Sequence, residues 1–170
     1  HDHHLDTVTD VARVFPNRKR EDGRYYVIDF TLQEIKQLRV NERIDLSNGK
    51  PVYKDRFPVG KSRFKVATLQ EEIELIQGLN KSTGKDVGIY PEIKSPEFHQ
   101  AEGKDITRTI LDVLNAYGYE SRDDPCFVQC FHPATLRRIR SEMGSDLSLV
   151  QLIGSGQWVE LIQFDAGNSA

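Results

Sequence analysis

Three short apolar runs, at 87–94, 126–131 and 147–153, are separated by two stretches of helical period, and this alternation limits the folds open to the chain. The first stretch places Ile106, Ile110, Val113, Leu114 and Tyr117 on one side of a helix predicted over 104–117, with Gly118 just past its end. The second opens at Pro133, which a first helical turn tolerates, and carries Leu136, Ile139 and Met143. Strands joined through helices run parallel, and near-continuous apolar strands are what a parallel sheet or barrel demands. The fold class predicted is therefore α/β. In such folds ligands bind at the carboxyl ends of the strands. Polar residues there are the first candidates: Glu92 and Lys94, Gln129 with His132 nearby, and Gln151. A buried glutamine is equally well explained as a hydrogen-bonded amide, because an unsatisfied one costs free energy.

Upstream, Thr68-Leu69-Gln70-Glu71 has the form of a capping box. It leads a helix with Leu69, Ile73, Ile76 and Leu79 at helical spacing and Gly84 as its stop. Thr31-Leu32-Gln33-Glu34 is a second such box, heading a short helix through Leu38, and residues 25–28 are predicted to form a brief strand. Residues 1–24 are polar and turn-rich, with room for one short helical turn. Residues 39–65 have no period, and Asn48-Gly49, Pro51 and Pro58 mark turns, as in a long loop or small inserted subdomain. After Ile153, Gly154-Ser155-Gly156 has the composition of a joint, 158–164 of one more strand or helical turn, and 167–170 of a tail.

A chain of 170 residues is the size of one domain. Its net charge of -3 and pI near 6.0 argue against a nucleic-acid-binding or polybasic membrane surface and favour a small-molecule partner. No apolar run approaches the roughly 18–20 residues of a transmembrane helix, and the head of the chain, which opens on His1, has no signal-peptide pattern. Cys126 and Cys130 lie about 13 Å apart along an extended strand, too far to bond, and are predicted to be core thiols.

Residues two apart on a strand share a face, so Glu92 and Lys94 leave the strand side by side. Alone they are a surface ion pair, or a carboxylate and an ammonium that grip a metal ion and a phosphate. His1-Asp2-His3-His4 is equally open, to a tag remnant, an adventitious metal-binding terminus, or part of an active site.

The run His1-Asp2-His3-His4-Leu5-Asp6-Thr7-Val8-Thr9-Asp10-Val11-Ala12, followed by Asp22-Gly23-Arg24-Tyr25-Tyr26-Val27-Ile28-Asp29-Phe30-Thr31-Leu32, resembles the glycerophosphodiester phosphodiesterases. The likeness continues through Arg56-Phe57-Pro58, Ser82-Thr83-Gly84-Lys85, Gly88-Ile89-Tyr90-Pro91-Glu92-Ile93-Lys94, Gly103-Lys104-Asp105-Ile106 and Leu149-Val150-Gln151-Leu152-Ile153. It is strongest to the family's periplasmic and surface-lipoprotein bacterial branch, which implies a periplasmic or cell-surface location.

The resemblance implies part of a TIM-type (β/α) barrel of the phosphatidylinositol-phospholipase-C-like phosphodiesterase kind. Residues 1–170 would form one partial domain, with 39–65 an insertion and 154–170 a divergent tail. The implied activity is hydrolysis of glycerophosphodiesters to glycerol 3-phosphate and an alcohol, with a divalent cation, usually Ca2+. His1 matches one of the family's two acid–base histidines, Glu92 a metal ligand and Lys94 a phosphate contact; Gln129 is taken as a further substrate contact. The family's His-Arg-Gly and Glu-x-Asp motifs precede the His-Asp motif and are absent from these residues, so the chain is expected to be an internal fragment, inactive alone. Glu97 stands where the family has an aromatic. A second reading is a catalytically inactive surface or binding module on the same scaffold.

Overall fold

The computed structural model describes residues 3–53, 56, 60–61 and 63–154. The chain forms two compact units, 1–68 and 69–170.

In the first unit Leu5, Val11, Tyr25, Phe30 and Leu38 build a small core. Helix α1 is Val11–Val14, and α2 is Leu32–Ile35, headed by the predicted capping box: the Thr31 side chain accepts from Glu34 N–H and the Glu34 carboxylate accepts from Thr31 N–H. The expected strand at 25–28 does not form. Among the described residues Tyr26 makes an antiparallel bridge to His4, and Val27–Asp29 tightens into a 3-10 turn. With so little regular structure, charge pairs hold the loops. Arg24 donates twice to the Asp6 carboxylate, at 2.6 and 2.9 Å, and Arg20 twice to Asp29. Burial works to raise the Asp6 pKa, but the bonds from Arg24 and from Tyr25 N–H outweigh it and leave it lowered. The described part of 39–65 is loop, turned at Asn48-Gly49 and pinned by the bridges Thr9 to Val40 and Ile44 to Pro51.

The second unit carries the parallel sheet. Its elements are α3 (Leu69–Thr83), α4 (Pro96–Ala101), α5 (Ile106–Ala116), β1 (Phe127–Cys130), α6 (Pro133–Ser141) and β2 (Ser148–Gln151). β1 and β2 pair in parallel with Phe127 opposite Ser148. The predicted strand at 87–94 lies on the other side of β1, held by parallel bridges from Ile89 to Cys126 and from Glu92 to Gln129. Both bridges keep one register. The ladder is interrupted between them because Pro91 has no N–H to donate.

One face of this sheet is the core. Ile89, Ile93, Cys126, Val128 and Cys130 point into it and meet Ile73 of α3, Leu111 and Leu114 of α5, and Leu136 and Ile139 of α6. Each fully buried Leu or Ile contributes about 1.5–3 kcal/mol. The α3 stripe is narrower than expected, since Leu79 is exposed. Helix α4 has no sequence signature, because six residues are too few to show a period. Gly84 and Gly118 end α3 and α5 at φ 68 and 82, as their positions in the sequence required.

A charged tie joins α5 to α6. Asp105, the N-cap of α5, accepts from Arg108 N–H and from both terminal nitrogens of Arg138, at 2.5 and 3.1 Å. The Arg138 bonds hold its pKa down at about 2 against an ordinary 3.8. A depressed folded-state pKa contributes stability that is complete above about pH 4 and is lost as pH falls toward 2. Solvent screening keeps the contribution modest, because both side chains are partly exposed.

Two outcomes are expected. Arg138→Ala raises the Asp105 pKa from about 2 toward 3.8, read by carboxyl NMR titration, and its stability deficit shrinks between pH 4 and pH 2. A side chain at Gly88 would put its Cβ 2.5 Å from the Pro125 carbonyl oxygen, whereas one at Gly78 meets nothing within 4 Å. In urea denaturation Gly88→Ala therefore destabilises by about 1–3 kcal/mol, and Gly78→Ala, inside α3, stabilises by about 0.5–1 kcal/mol.

Candidate active site

The site is built where the 89–93 segment leaves the sheet. Val87, Ile89 and Ile93 favour an extended chain. Glycine at 88 lets that chain pass close beside Pro125, so that Ile89 N–H donates to the Pro125 carbonyl at 2.8 Å. Phe127 N–H then donates to Ile89, Gln129 N–H to Pro91 and Ile93 N–H to the Gln129 carbonyl, at 3.0, 2.9 and 2.9 Å. This register sets Glu92 beside Gln129 and Tyr90 beside Phe127 on the face away from the helices. The rings of Tyr90 and Phe127 meet edge to face at 6.3 Å, and each side chain is about half exposed.

Glu92 and Lys94 leave this end together, with Lys94 Nζ 3.4 Å from Glu92 Oε1. Their exposures of 28% and 36% leave both open to a ligand. Immediately beyond, Ser95 sits at φ 46 and ψ 55, the one non-glycine residue with positive φ among those described. Backbone held in that region costs about 1–3 kcal/mol and gathers at functional sites. His99 steadies the turn: its N–H donates to the Ser95 carbonyl and its Nδ1 lies 2.9 Å from the same oxygen. Nothing in a Ser-Pro pair announces this bend, since a residue before proline is usually extended.

Gln129 is partly committed, its Nε2 donating to the Tyr90 carbonyl at 3.0 Å. Gln151 is a satisfied amide, donating to the carbonyls of Phe131 and Leu152 at 3.0 and 2.8 Å. His132 stands at the N-cap position of α6 without a side-chain capping bond, and its Nδ1 contacts Thr135 Oγ1 at 3.0 Å. Cys126 and Cys130 are buried free thiols, and burial pushes both up to about 11. His1 lies outside the described residues.

The family resemblance implies a metal ligand at Glu92. The carboxylate is a hard oxygen donor at an open strand end, so its chemistry suits a divalent cation. The number of donors does not: no group of three or more His, Cys, Asp or Glu side chains able to hold a metal occurs among the described residues. A groove of about 200 Å³ between α4, α5 and α6 is lined by Lys104, His132 and Arg138 among others. Its Arg138 is already paired with Asp105 and Glu142.

The model of the glycerophosphoryl diester phosphodiesterase family matches residues 1–168. A glycerophosphodiester phosphodiesterase of Haemophilus influenzae is 53% identical over 171 residues, covering 97% of this chain and 47% of that protein. One from Treponema pallidum is 48% identical, covering 83% of this chain and 40% of its own length. A plant relative from Arabidopsis thaliana is 32% identical over 80% of the chain and 39% of its own. The chain thus spans about half the length, or less, of these curated relatives. The match takes in Glu92, Lys94 and Gln129 together with the sheet that carries them, and the chain belongs to the glycerophosphoryl diester phosphodiesterase family.

Proposed function

We propose that this chain forms part of the catalytic domain of an enzyme that hydrolyses glycerophosphodiesters to glycerol 3-phosphate and an alcohol. The observation that carries the reading is the Glu92–Lys94 pair, 3.4 Å apart at the carboxyl end of a parallel sheet, in a chain of this family. Parallel α/β folds hold their ligands at that end.

In this reading the 89–93 segment, β1 and β2 are consecutive strands of one TIM-type barrel domain, with 39–65 an insertion. The helices α3, α5 and α6 all pack on one face of the sheet, which supports a barrel wall over a doubly wound sheet covered on both sides. The face bearing Tyr90, Glu92, Phe127 and Gln129 then turns toward the barrel interior.

Lys94 is a compact cation with three donors, and it attracts the phosphodiester anion and orients it by charge and hydrogen bonds. Gln129 keeps one amide proton on Tyr90 and has its second proton and its carbonyl oxygen for the substrate. Glu92 serves as one ligand of a divalent cation, calcium by preference. When bound, that cation neutralises phosphodiester charge. Calcium takes about six to eight oxygens, so in this reading most of its ligands come from outside the described residues. The leaving alkoxide needs a proton, and an imidazole that titrates near neutrality can move one. His1, by its match to the His-Asp motif, takes the acid or the base role. The resemblance to the periplasmic and surface-lipoprotein branch supports a periplasmic or cell-surface location.

The full-length protein is expected to release glycerol 3-phosphate from glycerophosphocholine with calcium and to stop when chelator is added. Glu92→Gln lowers that activity at least a hundredfold; activity indifferent to chelator removes the metal role given to Glu92. His1→Ala lowers turnover by about a hundredfold or more, the usual range for a lost acid or base, and near-normal turnover refutes its assignment. Absence of turnover on every glycerophosphodiester tried would leave the chain a binding module.

A further inference from the structure

We propose that Cys130 is a positioning residue, whose thiol donates to the Ile93 carbonyl and so fixes the strand end from which Glu92 and Lys94 project. The proposal rests on the role given to those two residues above.

Ile93 stands between them, and its carbonyl lies one step beyond the last backbone rung, Ile93 N–H to Gln129. That carbonyl is 3.2 Å from Cys130 Sγ. The same sulfur accepts from His132 N–H at 3.3 Å, which occupies one side of the thiol and leaves its proton for Ile93. Cys130 is 1% exposed, so water does not compete for the bond. Burial also keeps the thiol protonated, and hence a donor, at any pH near neutrality.

The strand end needs such a tie. Pro91 deletes a rung just upstream, so the Glu92 stretch hangs on the two backbone bonds it shares with Gln129. Just downstream, Lys94 and the left-handed Ser95 carry the chain out of the sheet. The Ile93 carbonyl is the last point before that turn at which β1 holds the segment. Cys126, equally buried on the same pleat face, makes no such side-chain bond among the described residues.

The test compares Cys130→Ser, which keeps a donor, with Cys130→Val, which keeps apolar volume without one, in the full-length protein. Thiol donation is a weak hydrogen bond, but small displacements of reacting groups are amplified in rate. With glycerophosphocholine, Cys130→Val is expected to lower kcat by about five- to tenfold while KM stays within about twofold. Cys130→Ser recovers to within about threefold of the unmodified protein. A residue that only fills space gives the opposite order, valine above serine, and that order overturns the proposal. Infrared spectra of the unmodified protein give a readout that needs no variant to fold. The expected result is an S–H stretching band below the frequency of a thiol without an acceptor; its absence overturns the proposal. Full activity of Glu92→Gln and Lys94→Met, with the shifted S–H band still present, refutes the site reading and with it the positioning role, and marks the bond as structural only. The two failures are therefore distinguishable.

Discussion

The position of Glu92 and Lys94 depends on a parallel hydrogen-bond ladder only a few rungs long. Neither the 89–93 segment nor β1 could stand alone, because a strand needs partners for its backbone groups and cover for its apolar face. The ladder supplies the first and the core under Ile89, Ile93, Val128 and Cys130 supplies the second. Register follows from both. A slip of one residue would send Ile89 and Ile93 outward and turn Glu92 into the core, at the cost of a buried carboxylate.

The ladder is least regular where the polar groups gather. Pro91 removes one donor, Ser95 takes up a left-handed conformation, and the gaps are filled by side chains: Gln129 on Tyr90, Cys130 on Ile93, His99 on Ser95. Strand spacing sets Glu92 and Lys94 side by side, and because the chain then turns into α4 the pair stays at the sheet's end. Backbone strain of this kind persists only when its surroundings over-determine it. His99 holds the Ser95 carbonyl, while the bonds to Tyr90 and Ile93 tie the segment just before it to β1.

The two units are stabilised differently. Among the described residues of 69–170, α3, α5, α6 and the sheet share one apolar interior, while among those of 1–68 a core of Leu5, Val11, Tyr25, Phe30 and Leu38 is supplemented by the paired charges Arg24 with Asp6, Arg20 with Asp29 and Arg18 with Glu34. Loops carry polar backbone that a small core cannot cover, and the bidentate bonds of Arg24 to Asp6 and Arg20 to Asp29 hold such segments in place.

Much of this was legible in the sequence because it depends on local period. The helices ending at Gly84 and Gly118, the capping box at Thr31, the parallel α/β class and the pairing of Glu92 with Lys94 all follow from spacing and from the conformational range of one residue type. The likeness that placed the chain in its family lay in contiguous motifs, and these too are sequence properties. What depended on distant contacts was hidden. Residues 25–28 have strand composition but form, among the described residues, a bridge from Tyr26 to His4 and a 3-10 turn. Leu79 keeps helical spacing yet faces solvent, because the α3 interface is narrower than its apolar stripe. The amide of Gln129 and the thiol of Cys130 found their acceptors 39 and 37 residues away, on a strand whose register no local pattern reveals. Sequence by itself determined which residues reach the end of the sheet; only the tertiary structure decided what holds them there, because hydrogen bonds between strands join residues that period and propensity treat as unrelated.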